Sequence, residues 1–365
     1  MRRQQTLIKE QAGDEMPRGG MMEDVMKRIL ALALVLLLLA GCTNIDSAQG
    51  KTQYQATFLE LFDTVTTIVG YAQNEEEFQE IAAGIRDMLQ EYHQLFDIYE
   101  SYDGINNLKT INDQAGIAPV RVDRRIIDLL LDCRDYYEKT GGRVNVAMGS
   151  VLSLWHETRN EGINDPQNAR LPEEELLKEA ALHCSFDTVI IDEENQTVFL
   201  TDPKQSLDVG AIAKGWSVQK VGELAPDGIL ISVGGNVHAT GPKQEATPWV
   251  VGIQSPVDEM EYLHTLYLSR GSIVSSGDYQ RYYQVEGKSY HHIIDPDTLY
   301  PAQYWTSVTV VCEDSGLADA LSTALFLLPQ KEGEALVKEH GAAAMWVDKE
   351  GNRIYSPGFK ELIRT

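Results

Sequence analysis

"GILISVGGNVHATG", Gly228 to Gly241, decides how the chain is read. It is a strand interrupted at Gly234-Gly235, which marks either a hairpin bulge or a place where backbone packs closely on a ligand. More strands follow at hairpin spacing in "PWVVGIQ", "TLYLSRGSIVSSG", "RYYQVEGKSYHHIID" and "SVTVVCED". Upstream, "FDTVIID" and "TVFLTD" are strands parted by a turn at Glu193-Glu194-Asn195-Gln196, and "YQATFLELFDTVTTIVGYA" reads as an opening strand. Helices are interleaved with these. "EEEFQEIAAGIRDMLQEYHQLFDIY" carries Phe78, Ile81, Ile85, Leu89, Tyr92, Leu95 and Phe96 at helical spacing. "DRRIIDLLLDCRDYYEKTGG" is a second helix stopped by Gly141-Gly142, and "SGLADALSTALFLLP" a late one closed by Pro329. With antiparallel-type strands and no regular βαβ alternation, the fold class is α+β.

The N-terminus speaks to location. Lys27-Arg28 precede an apolar run from Ile29 to Ala40 that ends in Leu39-Ala40-Gly41-Cys42. A basic flank, a short apolar stretch and small residues before a cleavage point make a signal peptide. Cys42 in that register resembles a bacterial lipobox, which outweighs a plain signal peptide with an incidental cysteine. The expected organisation is a signal segment over 1–41, with 1–20 as an overlong start, a lipidated tether over 42–52 and one domain over 53–365. The protein is then expected outside the cytoplasm, anchored to the membrane by lipid on Cys42. A formal net charge of −24 excludes a nucleic-acid surface, because phosphates would be repelled. Cys133, Cys184 and Cys312 are far apart and lack any CxxC spacing, which favours free thiols over a metal or redox centre.

Four segments carry chemistry. "LDVGAIAKGW" (Leu207 to Trp216) places an acid, two glycines and Lys214 at a strand-to-helix turn, where backbone N–H groups can face an anion. The bland alternative is an ordinary helix start. "ISVGGNVHATG" is the interrupted strand already described. In "SYHHIIDPDT", alternation puts His291, Ile293 and Asp295 on one face and Tyr290, His292 and Ile294 on the other, so the two histidines do not clamp one metal. His292 can accept a proton or hold a phosphate, against a purely structural role; Asp295 suits an Asx-type turn. In "LADALSTALFLL", Asp319 and Thr323 lie four apart on one helix face, an oxygen pair suited to a hard cation such as Mg²⁺. Their bland roles are favouring the helix N-terminus and back-bonding to a carbonyl.

In order, "FDTVTTI", "TGGRVNVAMGSVLSLW", "DVGAIAKGW", "ISVGGNVHATG", "SSGDYQRYY", "HHIIDPDT" and "ADALSTALF" resemble the ApbE family, the FAD:protein FMN transferases, from about Phe58 to the C-terminus. The resemblance implies an ApbE-like, T-fold-like architecture of antiparallel sheets and packed helices. It further implies surface lipoproteins that cleave FAD with Mg²⁺ and attach FMN to a threonine or serine of a target flavoprotein, releasing AMP. Carried over by motif, Asp319, Thr323 and the Ala211 carbonyl resemble the metal ligands. Asp208 and Lys214 match FAD-binding positions, as do Arg143, Val144 and Asn145; Phe62 and Tyr99 resemble residues that line the same pocket. His292 matches the histidine of the H-x-I-D-P element and is the expected base, with Asp208 as the second candidate and His291 dispensable. The chain departs from the family at Phe62-Asp63 (commonly Met-Gly), at Asn145 (commonly Asp), at Trp216 (commonly Tyr) and at Leu299, where a glycine often follows Asp-x-Thr. Two other readings stay open: a Mg²⁺-dependent FAD pyrophosphatase giving FMN and AMP, and a non-catalytic flavin-binding lipoprotein. The absence of an Asp- or Ser-Gly-Ala-Thr run argues for a separate target protein.

Overall fold

The computed structural model describes residues 50–258 and 260–365; the expected signal segment, Cys42 and most of the tether lie outside the described residues. Residues 49–365 make one compact unit. The opening stretch, expected as one strand, is a hairpin of β1 (Thr52–Leu61) and β2 (Thr64–Ala72). Phe62 and Asp63 both take left-handed backbone at φ +52°, the geometry of a two-residue turn matched to strand twist. Asn74 then caps α1 (Glu75–Phe96) by accepting the Glu77 N–H at 2.9 Å. The expected apolar stripe of α1 is buried except for half-buried Ile81, with Ala82 buried beside it.

After α2 (Leu108–Asp113) and β3 (Val120–Arg121), α3 (Arg124–Lys139) ends where expected, with Gly141 and Gly142 left-handed at φ +59° and +80°. Next come α4 (Gly149–Asn164), α5 (Glu174–Ala181), β4 (Val189–Asp192) and β5 (Thr197–Leu200), the strands forming a small sheet in the order β3-β5-β4. Helix α6 (Ala213–Leu224) precedes the hairpin of β6 (Ile229–Val233) and β7 (Asn236–Ala239). Gly234 (φ +56°) and Gly235 (φ +91°) form its turn, so the interruption is a tight hairpin. A ribbon of β8 (Trp249–Gln254) and β9 (Tyr262–Leu268) leads to β10 (Gly271–Gly277), and a second ribbon pairs β11 (Tyr282–Val285) with β12 (Lys288–His291). The chain closes with β13 (Ser307–Cys312), α7 (Ser315–Phe326), α8 (Gln330–Glu339), β14 (Ala343–Val347) and β15 (Arg353–Tyr355).

The main sheet has eight strands in the order β1-β2-β6-β7-β10-β13-β14-β15, each pair antiparallel, as the α+β reading requires. Strand alternation gives it two apolar faces. Ile68, Ile231 and Val233 pack with α1, α3 and α6, and Val308 and Val310 with Leu321 and Leu325 of α7. Ile273 and Met345 face the β8–β9 ribbon through Val251 and Leu266. Trp216 joins α6 to α1: it packs edge-on to Tyr92 and Phe96 with centroids 5.4 and 5.5 Å away, and its Nε1–H donates to Asp132 Oδ2 at 2.7 Å. Truncating so buried an indole to alanine costs about 3–5 kcal/mol.

Candidate active site

The seam between α6 and α7 brings two distant motifs into contact. Asp314 caps α7 by accepting the Leu317 N–H at 2.7 Å, and Asp319 follows within the next turn. Asp319 Oδ2 accepts the Gly215 N–H at 2.8 Å and the Asn236 Nδ2–H at 2.7 Å. Both donors fall on Oδ2, and Oδ1 has no hydrogen-bond partner among the described residues. Because the Gly215 N–H turns to Asp319, the Ala211 carbonyl four residues earlier lies outside the α6 ladder and accepts no hydrogen bond among the described residues. The Thr323 hydroxyl likewise has none. The back-bonding expected of Thr323 is made instead by Ser322, whose hydroxyl donates to the Asp319 carbonyl at 2.9 Å. Burial pushes the Asp319 carboxyl above its ordinary range, against the pull of Lys214 and the two donors.

An unpartnered carboxylate oxygen, a main-chain carbonyl and a hydroxyl are hard donors, which fits Mg²⁺ in chemistry. The described residues contain no group of three or more His, Cys, Asp and Glu placed to hold a metal. A mixed set like this one is of a different kind.

The turn before α6 is pinned from several sides. Asn112 holds Leu207 through both its N–H (2.8 Å) and its carbonyl (3.0 Å), and the Asp208 N–H donates to Val146 at 2.8 Å. The strand expected here is reduced to a single bridge between Ser206 and Met148. Asp208 Oδ1 accepts the Gly210 N–H at 2.8 Å, and its Oδ2 lies 3.9 Å from His156 Nε2. Tyr99 meets the other nitrogen of that ring, Oη to Nδ1, at 2.9 Å. Lys214 Nζ donates to the Gly210 carbonyl at 3.3 Å.

The neighbouring histidines part as the alternation requires, although β12 stops at His291. His291 is buried: its Nε2 lies 2.8 Å from the Ala302 carbonyl, its Nδ1 accepts the Ile293 N–H at 3.2 Å, and its ring packs edge-on to Phe326. Both nitrogens are therefore used. His292 is half-buried and shares a small pocket with Trp155, His156 and Arg159. Its Nδ1 lies 3.2 Å from the Arg281 carbonyl; that oxygen accepts only, so the proton sits on Nδ1 and Nε2 carries the free lone pair. Burial, then the charges of Arg281, His291, Lys214 and Arg159, hold its pKa down to about 3, so the ring is neutral at pH 7.

A second cavity, of about 260 Å³, is lined by Gly142, Arg143, Asn145, Cys184 and Asp297 among others. Arg143 reaches Asp297 Oδ2 at 2.6 Å and lies 3.7 Å from Asp295 Oδ1. Asp295 also accepts the Asp297 N–H at 2.8 Å, the Asx turn foreseen for it. Asn145 is tied down internally, donating to the Cys184 carbonyl and accepting the Ala147 N–H, both at 2.9 Å. The Val144 side chain is 2 % exposed within the main core, so its backbone is the part that can meet a ligand. Phe62 is half-buried, with its N–H on His93 Nδ1 at 3.3 Å, while Tyr99 is exposed. Both glycine departures keep left-handed backbone, at Asp63 (φ +52°) and Leu299 (φ +64°).

Asn236, His156, Arg159 and Arg281 escape the sequence reading. Asn236 and His156 touch the site through contacts with residues far along the chain, Arg159 through a shared pocket, and Arg281 across the β11–β12 hairpin. The one available signal was position, since Asn236 directly follows the double glycine and Arg281 lies within "SSGDYQRYY".

The ApbE family's sequence profile matches residues 62–346. A Treponema pallidum protein named FAD:protein FMN transferase is 35% identical over 277 residues, covering 70% of this chain and 75% of that protein. A Haemophilus influenzae protein of the same name is 27% identical over 363 residues, 94% of this chain and 99% of its own length. Among solved structures, the ApbE protein of Thermotoga maritima superposes with a TM-score of 0.76 at 30% identity, covering 86% of this chain and all of its own. The Vibrio cholerae flavin transferase ApbE, at 22% identity, shares the fold with a TM-score of 0.70, over 86% of this chain and 99% of its own. A profile match spanning most of the chain, a relative this close and a fold shared over 86% of the chain have one meaning: the chain belongs to the ApbE family.

Proposed function

We propose that this enzyme is an FAD:protein FMN transferase, which moves FMN from FAD to a threonine or serine hydroxyl of a separate flavoprotein and releases AMP. The observation that carries the reading is the Asp319–Gly215 hydrogen bond of 2.8 Å, which joins the metal-type motif to the helical end of the nucleotide-type segment. The names of the relatives support it. In the reaction, the acceptor oxygen forms a bond to the phosphorus that FMN keeps, and the P–O bond to AMP breaks. The hydroxyl proton passes to Nε2 of His292, which is neutral and carries a lone pair. Lys214, at the head of α6, places a positive charge beside the phosphates, and the pinned Asp208 turn orients the backbone there. Asp319, Thr323 and the Ala211 carbonyl are the residues that would hold Mg²⁺, which when bound supplies charge neutralisation at the pyrophosphate. Membrane attachment through Cys42 is part of the same proposal, supported by the basic flank, apolar run and small residues before it.

The test is incubation with FAD, Mg²⁺ and a purified acceptor flavoprotein, followed by a denaturing gel viewed for flavin fluorescence. Flavin that stays with the denatured acceptor is the expected result. Free FMN and AMP without labelled acceptor would assign hydrolysis instead.

A further inference from the structure

Two arginines stand beside His292 without an ion-pair partner among the described residues. Arg159, on α4, lines the pocket that also holds His156 and His292. Arg281 lies just before β11, and its carbonyl accepts the main-chain N–H of His292 at 3.1 Å and meets its ring Nδ1 at 3.2 Å. Neither guanidinium forms an ion pair or a hydrogen bond among the described residues. The chain has 55 acidic residues from which a partner could have been drawn. Asp208 is the carboxylate that bears on Arg159, yet its Oδ1 is tied to the Gly210 N–H and it makes no ion pair with Arg159. Burial first, and the charge of Arg281 second, lower the Arg159 pKa. Arg281 is exposed, so solvent screens its charge in part; Arg159 is half-buried, so its repulsion from Arg281 persists until an anion arrives.

We propose that Arg159 and Arg281, continuing the positive charge of Lys214, form an anion subsite that grips the phosphate retained by FMN. This rests on the FMN-transfer reading, which places a phosphorus atom within reach of His292. A guanidinium presents a planar fork of donors that matches two phosphate oxygens; Arg159 shares a pocket with His292, and the charges of Arg159 and Arg281 both act on its ring. The whole-molecule charge of −24 repels an anionic dinucleotide, so capture needs a local reversal of sign.

The experiment compares FMN with riboflavin, which lacks the phosphate, by flavin-fluorescence titration in EDTA without acceptor. The wild type is expected to bind FMN at least tenfold more tightly than riboflavin. Arg159→Gln/Arg281→Gln is expected to erase that preference while its riboflavin affinity stays within twofold of wild type, and Arg281→Gln alone to lose at least threefold. Arg121→Gln, at an exposed arginine on β3 that lines neither cavity, should change nothing. The thermal midpoint of the double variant should hold or rise, since repulsion is removed. A preference kept within twofold by the double variant, riboflavin binding that falls in step with FMN, or no preference in the wild type would each overturn the subsite. The titration needs neither metal nor acceptor. Wild-type protein that failed to label any acceptor would therefore count against FMN transfer, while the titration would still decide the subsite.

Discussion

At the α6–α7 seam, the groups without hydrogen-bond partners among the described residues include the oxygens Asp319 Oδ1, the Ala211 carbonyl and the Thr323 hydroxyl. Around His292 they are cations, Arg159 and Arg281, set about a neutral ring. Between these lies the Lys214 turn, and off to one side Arg143 and Asp297 already satisfy each other. The contrast teaches what the cleft is built to receive. Oxygens at one end suit a cation and guanidinium groups at the other suit an anion, which argues for a ligand that itself joins a cation to an anion. A metal-bound nucleotide is such a ligand, and each half should bind it less well once the other half is damaged.

Asp319→Ala should break the oxygen-rich end outright. Transfer should fall at least about 10³-fold, since metal assistance contributes several kcal/mol to such transition states. Loss of labelling should be only partly restored by excess Mg²⁺. His292→Ala strikes the other end: a lost general base lowers the transfer rate about 10²-fold or more, with little change in thermal midpoint. His291→Ala is the matched control. It should keep the transfer rate and lose about 1–3 kcal/mol of stability in urea, because the Ala302 carbonyl and Ile293 N–H are left unpaired. Equal rates in the two variants would remove His292 from the chemistry. Asn236→Ala leaves Asp319 in place without one of its donors, so half-maximal rate should need about 10–100 times more Mg²⁺.

The smallest effect is on stability against pH. His292 (about 3) and His238 (about 4), both lowered chiefly by burial, stay neutral in the folded protein, whereas an unfolded histidine protonates near pH 6.5. Their contribution is complete above pH 6.5 and is lost as pH falls toward 4, by about 1 kcal/mol per pH unit for each ring. Asp319, raised by burial, works in the opposite direction, since protonation relieves it. Urea midpoints measured from pH 7 to pH 5 should fall, and His292→Asn should fall less steeply.

Much of this architecture is legible from patterning. The α1 stripe, the Gly141-Gly142 stop and the strands from β6 to β13 all follow from local periodicity and turn chemistry. The β1–β2 hairpin was hidden because its left-handed turn is built from Phe62 and Asp63, neither of which signals positive φ. Within the site, motif order leads to Asp319, Thr323, Asp208 and His292. It leads only to the neighbourhood of Asn236, beside the double glycine, and not to Arg159; the contacts of both exist only once α4, α6, α7 and β7 are assembled. The division of labour at His291 and His292 is an intermediate case. Alternation separates their faces, and the packing of His291 on Phe326 shows why one of them is structural.

Gly215 has no room for any side chain: a Cβ there would strike the Ser315 carbonyl and come within 2.5 Å of the Asp319 Cβ. Anyone evolving this scaffold in the laboratory should find that codon frozen. A library randomised at 215 and 319 would return survivors only as the original pair, because widening the helix contact to admit even a methyl group drags the carboxylate off its mark.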